Sequence, residues 1–209
     1  MEGENPSFTE SLELIRLAQD GQVGALNDLL ARYYERVRRV VRARLGPQLR
    51  SCLESGDILQ ETFIAAVYGF DGFEMRGESS LLRWLSQIAE NQIRAAAAYH
   101  GAQRRDRRRE EPWVRARGVL ESGEVVTDPP APGPAPLEVL MDGESRQRLD
   151  DLLSALRPDQ REVILLRDYI GGSWKEVCEW TEGTSVDAVR LLHARALTAL
   201  AKLNRKLRQ

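Results

Sequence analysis

Side chains suited to holding a polyanion dominate this sequence, whereas those that break bonds are scarce. Arg104, Arg105, Arg107, Arg108 and Arg109 put five guanidinium groups into six positions. That is enough potential to hold phosphates, although most charge runs are solvated faces. Of 30 basic residues only Lys175, Lys202 and Lys206 are lysines. The planar fork of arginine suits phosphate oxygens and base edges better than an ammonium does, and a GC-rich genome would give the same bias. His100 and His193 are the only imidazoles, and neither lies in a His/Cys/carboxylate cluster, so metal and nucleophilic catalysis have little material. Cys52 and Cys178 are too far apart in sequence for metal-ligand spacing and form no disulfide framework, which points to a reducing compartment. Neither a G-x-x-x-x-G-K-[ST] loop nor a G-x-G-x-x-G turn is present, so phosphate-loop and dinucleotide chemistry are not expected. The reading is a non-enzyme that implies no cofactor and no metal.

Helices must position these arginines. Between residues 10 and 100 the only proline is Pro47, and apolar residues recur at helical spacing. Leu12, Ile15 and Leu17 open a first helix. Leu26, Leu29, Leu30, Tyr33, Val37, Val40 and Val41 line a second, whose other face carries Arg32, Arg36, Arg39 and Arg42 and which ends at Gly46-Pro47. A third helix begins near Asp57, with Ile58, Leu59, Thr62, Phe63, Ala66, Val67 and Phe70 on its apolar side, and closes at Gly72. A fourth follows Gly77-Glu78-Ser79-Ser80 and runs through Trp84, Ile88 and Ile93. The Asp128 to Pro136 stretch is too rich in proline for helix or central strand and reads as a linker. Beyond it, Leu149, Leu152, Leu153 and Leu156 start a second compact unit. Ser173 and Glu176 form an S-x-x-E capping box, Gly183 breaks the short helix that follows, and a final helix starts near Val186. A short helix, a glycine-containing turn and a longer helix make a helix-turn-helix.

The net charge of −2 hides an alternation: −5 over residues 1–30, +6 over 31–50, −5 over 51–90, +5 over 91–118, −6 over 119–145 and +3 over 146–209. Separate blocks imply separate surfaces, for a polyanion and for a basic partner. No segment has the apolar length of a membrane span or the pattern of a signal peptide, so a cytoplasmic protein without membrane insertion is expected.

Asp57-Ile58-Leu59-Gln60-Glu61-Thr62-Phe63, then Phe73, Arg76-Gly77-Glu78-Ser79-Ser80 and Trp84-Leu85-Ser86-Gln87-Ile88-Ala89-Glu90-Asn91 resemble region two of bacterial sigma factors of the extracytoplasmic-function (ECF) subgroup. Residues 149–203, opened by Leu156-Arg157-Pro158-Asp159-Gln160-Arg161-Glu162-Val163, resemble region four. The ordered pair is far more specific than either half. The resemblance implies an all-α protein: a region two domain over 10–111, a flexible acidic linker over 112–145, and a region four helix-turn-helix domain over 146–209.

Its implied partners are core RNA polymerase, through the beta-prime clamp helices and the beta flap, and promoter DNA, both duplex and melted; an anti-sigma factor is admitted as a further one. Carried over by position, Asp57, Gln60 and Glu61 would face the polymerase, their i, i+3, i+4 spacing sharing one helix face. The minus-ten element would be read and melted by Phe73, Arg76, Ser79, Ser80, Arg83, Asn91 and Arg94, with phosphate contacts from Arg104, Arg105 and Arg108. Phe73, in a glycine-flanked loop, would support an unstacked base. The minus-thirty-five element would meet Ser173, Lys175, Ser185, Arg190, Leu191, Ala194 and Arg195. Leu191 and Ala194 stand where relatives are often polar or aromatic; such side chains meet thymine methyls but hydrogen-bond no base. The 34 linker residues from Pro112 to Ser145 reach on the order of 100 Å when extended, and resemblance implies that they thread the polymerase's RNA channel.

Two rival readings predict different behaviour. A one-component regulator with a ligand-sensing N-terminal half would dimerise and bind DNA tightly without polymerase. An anti-sigma or scaffold protein would account for the acidic linker but not for two separated basic faces. Size-exclusion with core polymerase separates the three.

Overall fold

The computed structural model describes residues 6–50, 53–106 and 143–206. Among them no strand occurs. The elements are α1 (Pro6–Gln19), α2 (Val23–Arg44), α3 (Pro47–Arg50), α4 (Ser55–Gly69), a 3-10 turn (Phe70–Gly72), α5 (Ser80–Asp106), α6 (Gly143–Ser154), α7 (Pro158–Ile164), a π turn (Leu165–Tyr169), α8 (Trp174–Trp180) and α9 (Val186–Lys206). The last of the expected linker residues, from Gly143, already belong to α6. Residues 107–142, with Arg108 and the proline stretch, lie outside the described residues.

The first half is built around α2, which packs against α1, α4 and α5. Its Leu29, Tyr33, Val37, Val40 and Val41 recur at 3- and 4-residue spacing and are buried, which makes one apolar stripe of a 3.6-residue helix. Pro47 has no backbone N–H, so α2 stops before it and chain direction changes through α3. In the second half α9 packs on α7, α8 and α6.

Around α7 the burial has no helical period, because Val163, Ile164, Leu165 and Leu166 are all buried, and so is Ile170. The π turn accommodates this: Ile170 donates to the Leu165 carbonyl at 2.9 Å, one residue further back than in an α-helix, which brings both side chains to the same side.

The capping box is formed as the sequence implies. The Glu176 amide donates to Ser173 Oγ at 3.2 Å and the Ser173 amide donates to Glu176 Oε2 at 2.7 Å. Ser173→Ala is expected to cost about 0.5–2 kcal/mol, to be measured by urea denaturation; an unchanged midpoint would remove the box from the account of stability. The α8 helix ends at Trp180, before Gly183. Glu182, not Gly183, takes the left-handed conformation, at φ 50°. Gly183 is needed for room, since a Cβ there would stand 2.7 Å from Val189 Cγ2. Among the described residues no helix is long and apolar enough to cross a membrane.

The two halves do not stand apart as the sequence reading expects. One continuous buried cluster runs from Ile15 through Leu85 to Leu153, Leu165 and Ala196, and α2 contacts both α6 and the π turn.

Candidate nucleic-acid interface

On α4, Asp57, Gln60 and Glu61 are all exposed on one side, while Ile58, Leu59, Thr62 and Ala66 are buried on the other. The Thr62 hydroxyl donates to the Ile58 carbonyl at 2.6 Å, which satisfies the one buried polar side chain of this helix. Val67, expected in the packing, is instead 46% exposed, and Ile64 and Tyr68 are 50% and 86% exposed. Phe63 is half-buried and stacks on Tyr34 with ring centroids 5.6 Å apart. The exposed side of α4 thus joins three polar groups to an apolar strip of Ile64, Val67 and Tyr68, of which the sequence pattern places Val67 inside.

The loop between α4 and α5 is held from within. Phe73 was expected to offer a free ring; it is buried between Phe70 and Trp84, at centroid distances of 5.9 and 5.0 Å. Its carbonyl accepts from Gln19 Nε2 at 2.9 Å. The spacing of Phe70, Phe73 and Trp84 around a 3-10 turn makes a small aromatic core, so Phe73 shapes the loop and other side chains face outward. Arg76 is exposed and pairs with Glu74 at 2.9 Å, its amide donating to Ser80 Oγ at 3.2 Å. Along α5, Arg83, Trp84, Gln87, Asn91 and Arg94 line a groove of about 500 Å³. Asn91 and Arg94 are exposed there, Arg94 paired with Glu90. Gln87, absent from the expected set, belongs to this groove through its i, i+4 relation to Asn91. Arg104 and Arg105 fall in the last turn of α5.

In the helix-turn-helix, Ser173, Lys175, Ser185, Arg190, Leu191, Ala194 and Arg195 are all exposed. Ser185 Oγ caps α9 by accepting from the Ala188 amide at 3.1 Å. Trp174 is the post of this surface. Arg167 and Arg190 lie over its ring at 4.5 and 5.8 Å, and the His193 ring meets it edge-on at 5.3 Å while His193 Nε2 contacts Asp168 Oδ2 at 2.8 Å. Cation–π contact steers a long arginine without consuming its hydrogen-bond donors. Among the described residues the one carboxylate that Arg190 meets is Asp187, at a long 3.4 Å. Leu191, Ala194, Arg195 and Lys202 line a shallow groove of about 540 Å³ along α9.

Between the halves runs a set of ion pairs that nothing in the sequence periodicity foretold. Arg42 meets Asp150 at 3.1 Å, Arg50 meets Asp151 at 2.5 Å, and Arg44 grips both carboxylate oxygens of Glu162 at 2.8 and 3.0 Å while pairing with Glu90 at 3.3 Å. Arg83 lies 3.7 Å from Glu162 and over the Trp180 ring at 5.5 Å. Trp180 reaches it by crossing Gly172, where a Cβ would stand 2.4 Å from the indole. Burial pushes the Arg83 guanidinium's pKa down from its ordinary value against the pull of Glu162, and burial pushes the Asp150 carboxyl up against Arg42 and Arg50. Burial also works to raise Glu176, but hydrogen bonds from Ser173 and Ser79 prevail and hold it below the usual carboxylate range.

Two family models match this chain: "Sigma-70 region 2" over residues 29–109 and "Sigma-70, region 4" over residues 146–208. ECF RNA polymerase sigma factor SigD of Mycobacterium bovis is 30% identical over 200 residues, spanning 94% of this chain and 86% of the relative. The ECF RNA polymerase sigma-E factor of Salmonella typhimurium is 29% identical over 164 residues, 78% of each chain. Among solved structures, CnrH in complex with the cytosolic domain of CnrY superposes with a TM-score of 0.57 at 22% identity, covering 94% of this chain and 98% of the other. The sigma factor RpoE from Bartonella quintana, solved with the anti-sigma factor NepR, gives 0.51 at 20% identity, covering 86% and 95%. With the helical regions in this order and a relative matched along most of its length, the chain belongs to the ECF group of RNA polymerase sigma factors.

Proposed function

We propose that the described surfaces divide the work of promoter recognition among three sites. The protein is a transcription initiation factor of the sigma type, which directs core RNA polymerase to promoters. Asp57, Gln60 and Glu61, with the apolar strip beside them, dock the polymerase clamp helices. The α4–α5 loop and the α5 groove hold the melted minus-ten strand through Arg76, Ser80, Arg83, Asn91 and Arg94, and Ser79 joins them when the loop is uncovered. Phe73 keeps the loop in shape. Arg104, Arg105 and Arg108 add phosphate contacts. The capped α8–α9 pair enters the major groove at the minus-thirty-five element, with Arg190 and Arg195 toward base edges and Leu191 and Ala194 toward thymine methyls; the same domain meets the beta flap. The halves are joined as the 10–111 and 146–209 domains, with the acidic 112–145 segment between them. The protein itself breaks no bond and works in the cytoplasm, where an anti-sigma protein is a further proposed partner.

One observation carries this reading: the exposed N-terminal half of α9, with Arg190 steered by Trp174 and its donors almost unspent. Run-off transcription with core polymerase on genomic fragments, followed by start-site mapping, tests it. Absence of any promoter-specific transcript would overturn it. On a promoter library Arg190→Ala is expected to cost roughly 1–3 kcal/mol at one upstream position and to relax preference there. If every sequence weakens alike, Arg190 is a phosphate contact.

A further inference from the structure

A ring steers a flexible arginine only if the ring is itself held in place. Trp174 opens α8 directly after its cap, so the Ser173–Glu176 box fixes its backbone. The indole is braced as well. Arg167 lies over it at 4.5 Å while Arg167 Nη1 donates to the Gly172 carbonyl at 2.6 Å, which ties that guanidinium to the turn before α8. His193 meets the indole at an interplanar angle of 77°, the edge-on arrangement that aromatic pairs favour.

His193 is held in turn. Its side chain is only 13% exposed, and Nε2 donates to Asp168 Oδ2 at 2.8 Å. A carboxylate can only accept, so this bond fixes both the direction of the imidazole and the nitrogen that carries the proton. Asp168 and Arg167 are consecutive residues of the π turn. That turn therefore braces the indole twice, through Arg167 directly and through Asp168 by way of His193. The chain of contacts ends on Arg190, which lies 5.8 Å over the same ring with its side chain 54% exposed. Among the described residues Asp168 forms no ion pair with Arg190, so the contacts that join them pass through the two rings. Arg195, the other arginine assigned to base edges, has no ring beneath it among the described residues.

Direction matters more to an arginine on a base than to one on a phosphate. Two parallel hydrogen bonds to a guanine edge need the guanidinium in one plane. Phosphate oxygens accept from many directions and carry no sequence information, so an Arg190 freed from its ring still finds phosphate and loses discrimination instead.

We propose that Asp168 and His193 are positioning residues for promoter reading: through Trp174 they set the direction of the Arg190 guanidinium and thereby sharpen the preference at the single base pair it meets. The proposal rests on the assignment of Arg190 to a base edge.

The test uses the full chain with core RNA polymerase on a promoter library randomised across the upstream element, with transcripts counted by sequencing. Arg190→Ala first identifies the position at which its preference is lost. At that position Asp168→Ala, His193→Ala and Trp174→Leu are each expected to lower the advantage of the favoured base by about two- to fivefold, the worth of an exposed cation–π contact. Other positions of the element should keep their preferences. Asp168→Asn, which retains an acceptor oxygen for Nε2 without the charge, should keep most of the preference. Asp168→Ala combined with Arg190→Ala should lose no more there than Arg190→Ala alone. Because Asp168 is 42% exposed, its variants decide the matter even if His193→Ala fails to fold. Uniform weakening of every sequence by Asp168→Ala, an Asp168→Asn no better than Asp168→Ala, or additive loss in the double variant overturns the proposal. If Arg190→Ala flattens one position and Asp168→Ala leaves it sharp, the base-edge assignment stands and the positioning role falls; if Arg190→Ala flattens none, the assignment itself falls.

Discussion

Gln60→Ala combined with Glu61→Arg is expected to abolish co-elution with core RNA polymerase while leaving helix content unchanged. Both side chains are exposed, and the residues that anchor α4, Ile58, Leu59, Thr62 and Ala66, point the other way. The variant therefore alters the exposed face of α4 without touching packing. Interface energy concentrates in a few central residues, and loss of a pair of them costs upward of 2 kcal/mol. Reversing a charge adds repulsion from a partner surface that fits an acid, so an affinity loss on the order of 10²-fold or more is expected. Exposed Val67 and Tyr68 on the same helix make Tyr68→Ala a milder companion. The check is size-exclusion with core enzyme, accompanied by far-ultraviolet circular dichroism. Wild-type co-elution of the double variant would mean that α4 presents a different face to polymerase.

Phe70→Ala carries the second large effect, this time on stability. Phe70 is 2% exposed and its ring touches both Phe73 and Trp84, at 5.9 and 6.3 Å between centroids. Truncating a buried phenylalanine costs about 3–5 kcal/mol through lost transfer energy and the cavity left behind. In a chain of this size each kcal/mol lowers Tm by roughly 2–4 °C, so a fall on the order of 10 °C is expected in a thermal scan. The loop should loosen along with the core, since Phe73 and Trp84 lose their common support. A Tm within a degree or so of wild type would show that the aromatic trio is replaceable by neighbouring apolar side chains.

These two variants also mark where sequence was readable. The α2 stripe, the α4 polar face, the Ser173–Glu176 box and the start of α9 follow from local rules: a 3.6-residue period, a capping pattern, a helix ending before proline. Local rules do not reach Phe73. A glycine-flanked aromatic looks exposed, and only the return of α5 through Trp84 closes a pocket on it. Val67 fails for the reverse reason, because an apolar residue on a broad helix face is packed only if a neighbour arrives, and here none covers it. The π turn was illegible because five apolar residues between Val163 and Ile170 satisfy no single period. Ion pairs across a hundred residues of chain, such as Arg44 with Glu162, depend on the approach of two halves that sequence reasoning treats as separate.

Those pairs bear on synthesis as well as on the finished molecule. Arg42, Arg44 and Arg50 find their second-half partners 108, 118 and 101 positions downstream. A ribosome adding roughly 5–20 residues per second takes about 5–20 s to deliver them. Through that interval the nascent first half stands alone. Arg44 already has Glu90 in α5, so its most buried guanidinium does not wait, while Arg42, Arg50 and Arg83 remain without their second-half partners. The arginines of the first half thus exist before the acids that pair with them have been translated, and order of emergence from the ribosome makes every newborn molecule pass through a stage in which its cross-half ion pairs are unmade.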